Sequence, residues 1–172
     1  ILSCMKNHGV GEILFASSSA IYGNTNKILQ EDTGPLFPIS NYGAAKLASE
    51  AYISAFCESC NMKAWIIRFP NVVGRHLTHG VIYDFLNKLE KDQSELLVLG
   101  DGKQQKPYLY VDDLINAMEC IYKKTNKTIN CFNVASTGVT SVKEIVEIVL
   151  HKLGLENTKV SYSKEARGWI GD

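Results

Sequence analysis

Residues 13–19 read Ile13-Leu14-Phe15-Ala16-Ser17-Ser18-Ser19, a short apolar run that ends in three serines. Such a run is typical of a strand that is buried on both faces of a parallel sheet. Residues 63–69 form a second apolar run, and the helical pattern of residues 42–60 lies between the two. A strand, a long helix and another strand predict a right-handed crossover. The expected fold class is therefore α/β, with a parallel sheet and helices on its faces.

The helix between the two strands has Ser40 or Asn41 as a candidate N-cap. Its apolar positions form a broad stripe, which is compatible with burial inside the monomer and equally with contact between two copies of the chain. The stripe consists of Ala44, Leu47, Ala48, Ala51, Tyr52, Ala55 and Phe56.

Shorter elements are predicted along the rest of the chain. Ser141 and Glu144 have the spacing of a capping box, which predicts a helix from there to Leu153, ended by Gly154. Further helices are expected at residues 81–91 and 114–122, and further strands at residues 96–99, 108–111 and 131–134.

The composition excludes several classes of protein. With 172 residues, 45% of them hydrophobic, the chain can bury a core in one or two domains. The net charge of zero gives no reason to expect nucleic acid or an acidic membrane surface as a partner. No apolar run approaches the roughly 20 residues of a membrane span, and the first residues lack the pattern of a signal peptide.

The cysteines favour a reducing compartment. Their number, five, is odd, and the pair Cys57 and Cys60 has no second C-x-x-C partner. A redox or metal role for this pair is the less favoured alternative. We expect reduced thiols in a cytoplasmic protein and no metal site.

Tyr42 and Lys46 are the strongest candidates for chemistry. Residues four apart on a helix share a face, and a cation beside a phenol favours the phenolate that can act as a base. Ligands bind at the carboxyl ends of parallel strands, and both the serine run and Pro70-Asn71 follow such ends. The three segments therefore converge on one edge of the sheet. The alternative is that Tyr42 and Lys46 are ordinary surface residues of an amphipathic helix.

Four motifs in order resemble a known family. They are Phe15-Ala16-Ser17-Ser18-Ser19-Ala20-Ile21-Tyr22-Gly23, then Tyr42-Gly43-Ala44-Ala45-Lys46, then Arg68-Phe69-Pro70-Asn71-Val72-Val73-Gly74, and then Gly100-Asp101-Gly102-Lys103-Gln104 with Tyr110-Val111-Asp112-Asp113-Leu114. Together they resemble the extended short-chain dehydrogenase/reductase family, in its branch of NAD-dependent nucleotide-sugar epimerases and dehydratases. The resemblance implies the C-terminal part of a Rossmann-like parallel sheet plus a small α/β substrate-binding region. Residues 1–75 would be the second half of the NAD-binding domain, and residues 76–172 mostly the substrate-binding region, with segments returning to the sheet.

The resemblance also implies roles for individual residues. Tyr42 would exchange a proton with a sugar hydroxyl, Lys46 would hold the nicotinamide ribose, and Ser18 would hydrogen-bond the reacting oxygen. The residues implied in NAD binding are Ala16, Ser17, Tyr42, Lys46, Phe69 and Pro70. The residues implied in binding a nucleotide-diphosphate sugar are Ser18, Asn71, Val81, Ile82, Lys106 and Arg167. Polar packing at the strand end is the alternative for Ser17, a solvated side chain is the alternative for Lys106, and the spacing around Arg167 matches relatives poorly.

The residues after Ser18 bear on the reaction. Relatives that dehydrate sugars place an Asp-Glu pair there, whereas this chain has Ser19 and Ala20. The resemblance therefore implies an NAD-dependent epimerase of the UDP-hexose 4-epimerase type, acting through a transient 4-keto sugar. The alternatives are a dehydratase or reductase of the same family, or a non-catalytic, truncated module that binds nucleotide-sugars. A homodimer is the default oligomer.

The glycine-rich dinucleotide fingerprint is not found in this sequence. Gly9-Val10-Gly11 resembles its first half, but Leu14 occupies the position of the third glycine, and the segment precedes a strand instead of following one. We therefore expect a helix-ending turn at Gly9. We also expect about 90–110 further residues before Ile1 and a chain that continues beyond Asp172.

Overall fold

The computed structural model describes residues 1–25 and 28–163. They divide into two compact units. The first unit contains Ile1–Val72 and Asp112–Ala135, and the second contains Val73–Val111 and the described part of Ser136–Ile170.

The described residues form five α-helices, a 3-10 helix and nine strands. The α-helices are α1 (Leu2–Asn7), α2 (Asn41–Cys60), α3 (Val81–Lys91), α4 (Val111–Lys124) and α5 (Val142–Leu153), and a 3-10 helix spans Ser19–Tyr22. The strands are β1 (Glu12–Ala16), β2 (Lys63–Arg68), β3 (Asn71–Val73), β4 (Glu95–Val98), β5 (Gln105–Lys106), β6 (Tyr108–Tyr110), β7 (Ile129–Asn133), β8 (Thr140–Ser141) and β9 (Lys159–Tyr162).

The first unit is built on a three-stranded parallel sheet in the order β1-β2-β7. In its register Phe15 lies opposite Ile66, and Ile66 lies opposite Cys131. The central strand β2 is buried from Ala64 to Arg68, as its continuous apolar run predicts for a strand covered on both faces. The predicted α/β class with a parallel sheet is confirmed.

Helix α2 crosses from β1 to β2 and covers one face of this sheet. The Ser40 side chain accepts a 3.1 Å hydrogen bond from the Gly43 N–H and caps the helix, and the helix ends at Asn61 in the left-handed conformation. Ile53 and Cys57 of α2 pack with Ile66 of β2 in the core of the unit.

The buried face of α2 differs from the predicted apolar stripe. The side chains of Ala44, Ala48, Ala51, Tyr52 and Ala55 are exposed, whereas the charged Glu50 is buried. A charged side chain is tolerated at this buried position because Glu50 forms an ion pair with the buried Arg68.

The second unit has its own core. Phe85 and Leu89 of α3 pack against Leu96 and Val98 of β4 and against the buried face of α5, which consists of Ile145, Val146, Val149 and Leu150. Strands β4 and β9 pair in parallel, and β5 and β8 pair antiparallel. Helix α5 begins with the predicted capping box of Ser141 and Glu144 and ends at Gly154, whose φ of 68° is left-handed.

Two local expectations have different outcomes. The expected turn at Gly9 is confirmed, because α1 ends at Asn7 and Gly9 has a φ of 70°. The expected strand at residues 108–111 is shorter, because Val111 already begins α4, with Asp112 and Asp113 in its first turn. Acidic side chains at the N-terminus of a helix interact favourably with the helix dipole. None of the described helices is long and apolar enough to cross a membrane.

Candidate active site

The serine run lies where β1 ends, next to the end of β2. The Ser17 N–H donates a 2.8 Å hydrogen bond to the Ile67 carbonyl, and the Ser19 N–H donates a 3.0 Å bond to the Phe69 carbonyl. Ser18 lies between these two anchors and caps the 3-10 helix by accepting a 3.2 Å bond from the Ala20 N–H. The backbone on both sides of Ser18 is therefore fixed to the neighbouring strand end.

Tyr42 and Lys46 lie in the first two turns of α2. The Nζ atom of Lys46 donates a 2.8 Å hydrogen bond to the Ala16 carbonyl oxygen, at the end of β1. The same atom lies 5.6 Å from the centre of the Tyr42 ring and 5.1 Å from the centre of the Phe15 ring. Tyr42 is 51% exposed. A positive charge thus lies between the strand end and an accessible phenol.

The N-terminus of α2 packs directly against the segment that follows Ser18. A Cβ atom placed on Gly43 would lie only 2.6 Å from the Ala20 carbonyl oxygen and 3.0 Å from the Cβ of Pro38. Because Gly43 lacks that atom, the helix that carries Tyr42 can approach the 3-10 helix at this distance.

A buried hydrogen-bond network lies below these residues. The Ser17 hydroxyl donates to Oε1 of Glu50, and Ser17 is only 1% exposed. Glu50 in turn accepts from Arg68, with 2.7 Å between Oε2 and Nη2. Arg68 also donates through Nη1 to the Tyr22 hydroxyl at 2.8 Å, and Tyr22 lies 2.8 Å from Oδ1 of Asn133. The Ser17 hydroxyl is thus engaged in polar packing, the alternative that the sequence left open.

Charge is stabilised within this network. Burial alone would lower the pKa of Arg68, but hydrogen bonds with the Glu50 carboxylate and the Tyr22 hydroxyl outweigh burial, so that the pKa of Arg68 lies above its ordinary value. Burial raises the pKa of the nearby Cys131 thiol, although the Arg68 charge opposes this effect. Arg68 is therefore a permanent cation, and Cys131 is a neutral thiol at neutral pH.

Sequence reasoning did not identify Glu50 as a residue of this region, and it used Arg68 only as part of a motif. One signal was available: Glu50 follows Lys46 by four residues and Tyr42 by eight, so all three share a face of the helix. From this spacing, the Glu50 carboxylate is expected on the face of α2 that carries the candidate catalytic pair, pointing toward the sheet.

The other candidates fall into three groups. Phe69 and Pro70 follow β2 and Asn71 begins β3, and all three are half-buried. Val81 and Ile82 begin α3 and pack against the core of the second unit, and Lys106 lies half-buried in β5 of that unit. Arg167 lies outside the described residues. The first unit alone brings together Ala16, Ser17, Ser18, Tyr42 and Lys46.

No metal site is found in the part of the chain that the structure describes, where no three His, Cys, Asp or Glu side chains cluster suitably. Cys57 is fully buried on α2, and Cys60 is half-buried. Burial raises the pKa of the Cys57 thiol, and electrostatic repulsion from the nearby Cys60 and Glu58 raises it further.

A parallel sheet, with a serine after one strand end and a tyrosine and a lysine in the first turns of the following helix, agrees with the resemblance of the motifs to the extended short-chain dehydrogenases/reductases. The chain belongs to the NAD dependent epimerase/dehydratase family, whose model matches residues 1–135.

Individual relatives agree with this family. The chain is 31% identical over 175 residues to a putative UDP-glucose 4-epimerase of Methanocaldococcus jannaschii, covering 99% of this chain and 56% of the relative. A crystal structure of a UDP-galactose 4-epimerase superposes with a TM-score of 0.84 at 33% identity, covering 95% of this chain and 54% of that one. A Thermus thermophilus UDP-glucose 4-epimerase in complex with NAD superposes with a TM-score of 0.81 at 26% identity, and the match covers 98% of this chain and 56% of that one. The chain therefore spans about half the length of these relatives.

Proposed function

We propose that this chain carries the catalytic groups of an NAD-dependent nucleotide-sugar 4-epimerase. The observation that carries the proposal is the position of Lys46, whose ammonium is fixed on the Ala16 carbonyl beside the exposed ring of Tyr42. The names of the relatives, UDP-glucose and UDP-galactose 4-epimerases, support a UDP-hexose as the substrate class.

The donor chemistry around Lys46 fits the nicotinamide ribose of NAD. An ammonium has three N–H donors, and within the described residues Lys46 uses one of them, on Ala16. The remaining donors suit ribose hydroxyls. We also assign Phe69 and Pro70, which are half-buried after the end of β2, to contact with the nicotinamide, and Ala16 and Ser17 to its neighbourhood. The residues that would hold the pyrophosphate are not among these.

Each residue has a defined part in the proposed reaction. Tyr42, with the Lys46 ammonium beside its ring, acts as the base and takes the proton of the sugar 4-hydroxyl. Ser18 donates a hydrogen bond to the same oxygen and so stabilises the charge that develops there. When bound, NAD would supply the hydride chemistry, by taking a hydride from C4 and giving it back. When the hydride returns to the opposite face of the resulting 4-keto sugar, Tyr42 gives its proton back to the oxygen, and no net oxidation remains.

The same residues disfavour dehydration. Loss of water from the sugar needs an acid and a base next to the reacting carbons. Ser19 and Ala20, which follow Ser18 in the 3-10 helix, offer no carboxylate.

The substrate roles of Asn71, Val81, Ile82, Lys106 and Arg167 stay predictions, as does a cytoplasmic location. A homodimer is also proposed, supported by the 75% exposure of Tyr52 on α2.

The proposal is tested on the protein expressed from its complete reading frame. It is incubated with NAD and, separately, with UDP-glucose, UDP-galactose and their N-acetyl forms, and the anomeric proton signals are followed by NMR. We expect interconversion of at least one pair, and none by the Tyr42→Phe variant. Release of a 4-keto-6-deoxy sugar would assign the dehydratase reaction instead. Binding of a UDP-sugar without turnover of any pair would assign a non-catalytic binding module.

A further inference from the structure

Glu50 and Arg68 form a buried ion pair next to the candidate active site. Their exposed fractions are 5% and 9%, and they are the two charged side chains among the buried residues of the described chain. Taking both charges out of water costs free energy, and apolar side chains of similar volume often serve stability equally well. The position of the pair therefore calls for a role other than stability.

The hydrogen bonds of the pair hold the chain on both sides of Ser18. Glu50 accepts from the Ser17 hydroxyl, immediately before Ser18. Arg68 donates to the Tyr22 hydroxyl at 2.8 Å, and Tyr22 is the last residue of the 3-10 helix that Ser18 caps. Ser18 thus lies in a short segment that Glu50 holds at its start, through Ser17, and Arg68 holds at its end, through Tyr22.

The pair also connects this segment to the other candidate residues. Glu50 lies on α2, one turn after Lys46 and two turns after Tyr42. Arg68 is the last residue of β2 and directly precedes Phe69 and Pro70. A single ion pair therefore ties together the three elements that carry the candidate hydroxyl, the candidate base and the candidate nicotinamide contacts.

We propose that Glu50 and Arg68 are positioning residues, which hold the Ser18 hydroxyl in line with Tyr42 and Lys46 at the reacting sugar oxygen. Because Ser18 acts only within the proposed epimerase reaction, the role of the pair rests on that function. Ser18 would stabilise charge that develops in the transition state. A loosened segment should therefore lower kcat, while contacts with the distant nucleotide keep KM unchanged.

The sharpest test removes one oxygen atom from the network. Tyr22→Phe keeps the buried ring but removes the hydroxyl that accepts from Arg68. The matched control is Tyr122→Phe, which removes a hydroxyl that donates to Glu12 at 2.7 Å on the surface of the same unit. In the protein from the complete reading frame, Tyr22→Phe should lower kcat about tenfold, with KM within about twofold, because small misplacements of a reacting group are costly. Tyr122→Phe should change neither constant.

A second variant tests the charge itself. Glu50→Gln keeps the length of the side chain but leaves Arg68 without its anionic partner, and we expect a larger loss of kcat than in Tyr22→Phe. Glu50→Asp keeps the charge and should recover part of that loss. If Glu50→Gln does not fold, Tyr22→Phe decides alone.

The outcomes separate the two proposals. If the unaltered protein interconverts no sugar nucleotide, the epimerase function fails, and the role of the pair fails with it. If the unaltered protein is active and the folded Tyr22→Phe variant keeps its kcat, the epimerase function stands and the positioning role is refuted. A rise in KM without a fall in kcat also refutes it, because the pair would then act on substrate binding.

Discussion

The ammonium of Lys46 and the carbonyl of Ala16 are joined by a 2.8 Å hydrogen bond, which connects α2 to the end of β1. A lysine side chain is long and flexible, and it loses conformational freedom when it is held in one place. Here the bond fixes the charge 5.6 Å from the centre of the Tyr42 ring. The spacing of four residues thus becomes a defined arrangement of a cation and a phenol because a third group, a strand-end carbonyl, holds the cation.

Replacing Lys46 should therefore affect catalysis more than folding. For Lys46→Met we expect kcat to fall about 10²–10⁴-fold, the range that acid–base catalysis supplies. Lys46→Arg should restore little, because a planar guanidinium differs in size and shape from an ammonium. The control is Lys63→Met, which removes an exposed ammonium that donates to Asn126 in the same unit. Equal kcat values for Lys46→Met and Lys63→Met would contradict the assigned role.

The close approach of Gly43 to Ala20 gives a second prediction. In a helix, Gly→Ala usually stabilises by about 1 kcal/mol. At Gly43 the sign should reverse, because the new Cβ would lie 2.6 Å from a backbone oxygen that cannot move freely. We expect Gly43→Ala to destabilise the protein by about 1–3 kcal/mol in urea denaturation. Gly11→Ala serves as the control, since nothing lies within 4 Å of a Cβ there. A stabilising Gly43→Ala would show that the two helices are not in contact.

The Glu50–Arg68 pair should show strong coupling in a double-mutant cycle. Glu50→Gln or Arg68→Met alone leaves one buried partner unpaired, and each should cost about 3–5 kcal/mol of unfolding free energy. The double variant should lose clearly less than the sum, because no unpaired charge remains. The measurement is urea denaturation of all four proteins. Glu119→Gln provides a control, because it breaks an exposed ion pair with Lys123 and should change stability little. Additive losses would show that the buried pair is not coupled.

The capping box of α5 predicts a dependence of stability on pH. The Ser141 N–H and then its hydroxyl donate to the Glu144 carboxylate and hold the pKa of that carboxyl below its ordinary value of 4.5. A lowered pKa in the folded state stabilises the protein above the ordinary pKa, and this contribution is lost as the pH falls through the folded value. The Tm difference between the unaltered protein and Glu144→Ala should therefore be largest near pH 7 and shrink toward pH 3. Glu147→Ala, an exposed carboxylate on the same helix, is the control. A Tm difference that grows as the pH falls would contradict a stabilising role of the Glu144 carboxylate in the capping box.

The local elements could be predicted from the sequence because their causes are local. The apolar runs of β1 and β2, the Ser40 cap and the Ser141 box each depend on residues that are near one another in the chain. The pairing of Tyr22 with Asn133 spans 111 positions, so no local pattern could reveal it. The spacing of Glu50 from Tyr42 and Lys46 on α2 was a local signal, but its buried partner Arg68 lies on β2 and could not be inferred from that spacing. The family motifs predicted Ser18, Tyr42 and Lys46 as site residues, but the network beside them became visible only in three dimensions.

The cysteines give a prediction about reactivity. The thiolate is the nucleophile, so a thiol that is buried with a raised pKa should react slowly. Burial, with Cys60 and Glu58 nearby, raises the pKa of Cys57, whereas Cys4 and Cys120 are exposed. In a time course with iodoacetamide at pH 8, followed by peptide mass spectrometry, Cys4 and Cys120 should be labelled first and Cys57 last. Labelling in urea provides the control, since all five thiols should then react at similar rates. Formation of a Cys57–Cys60 disulfide in the folded protein under mild oxidant would contradict this order and would support the redox alternative for the C-x-x-C pair.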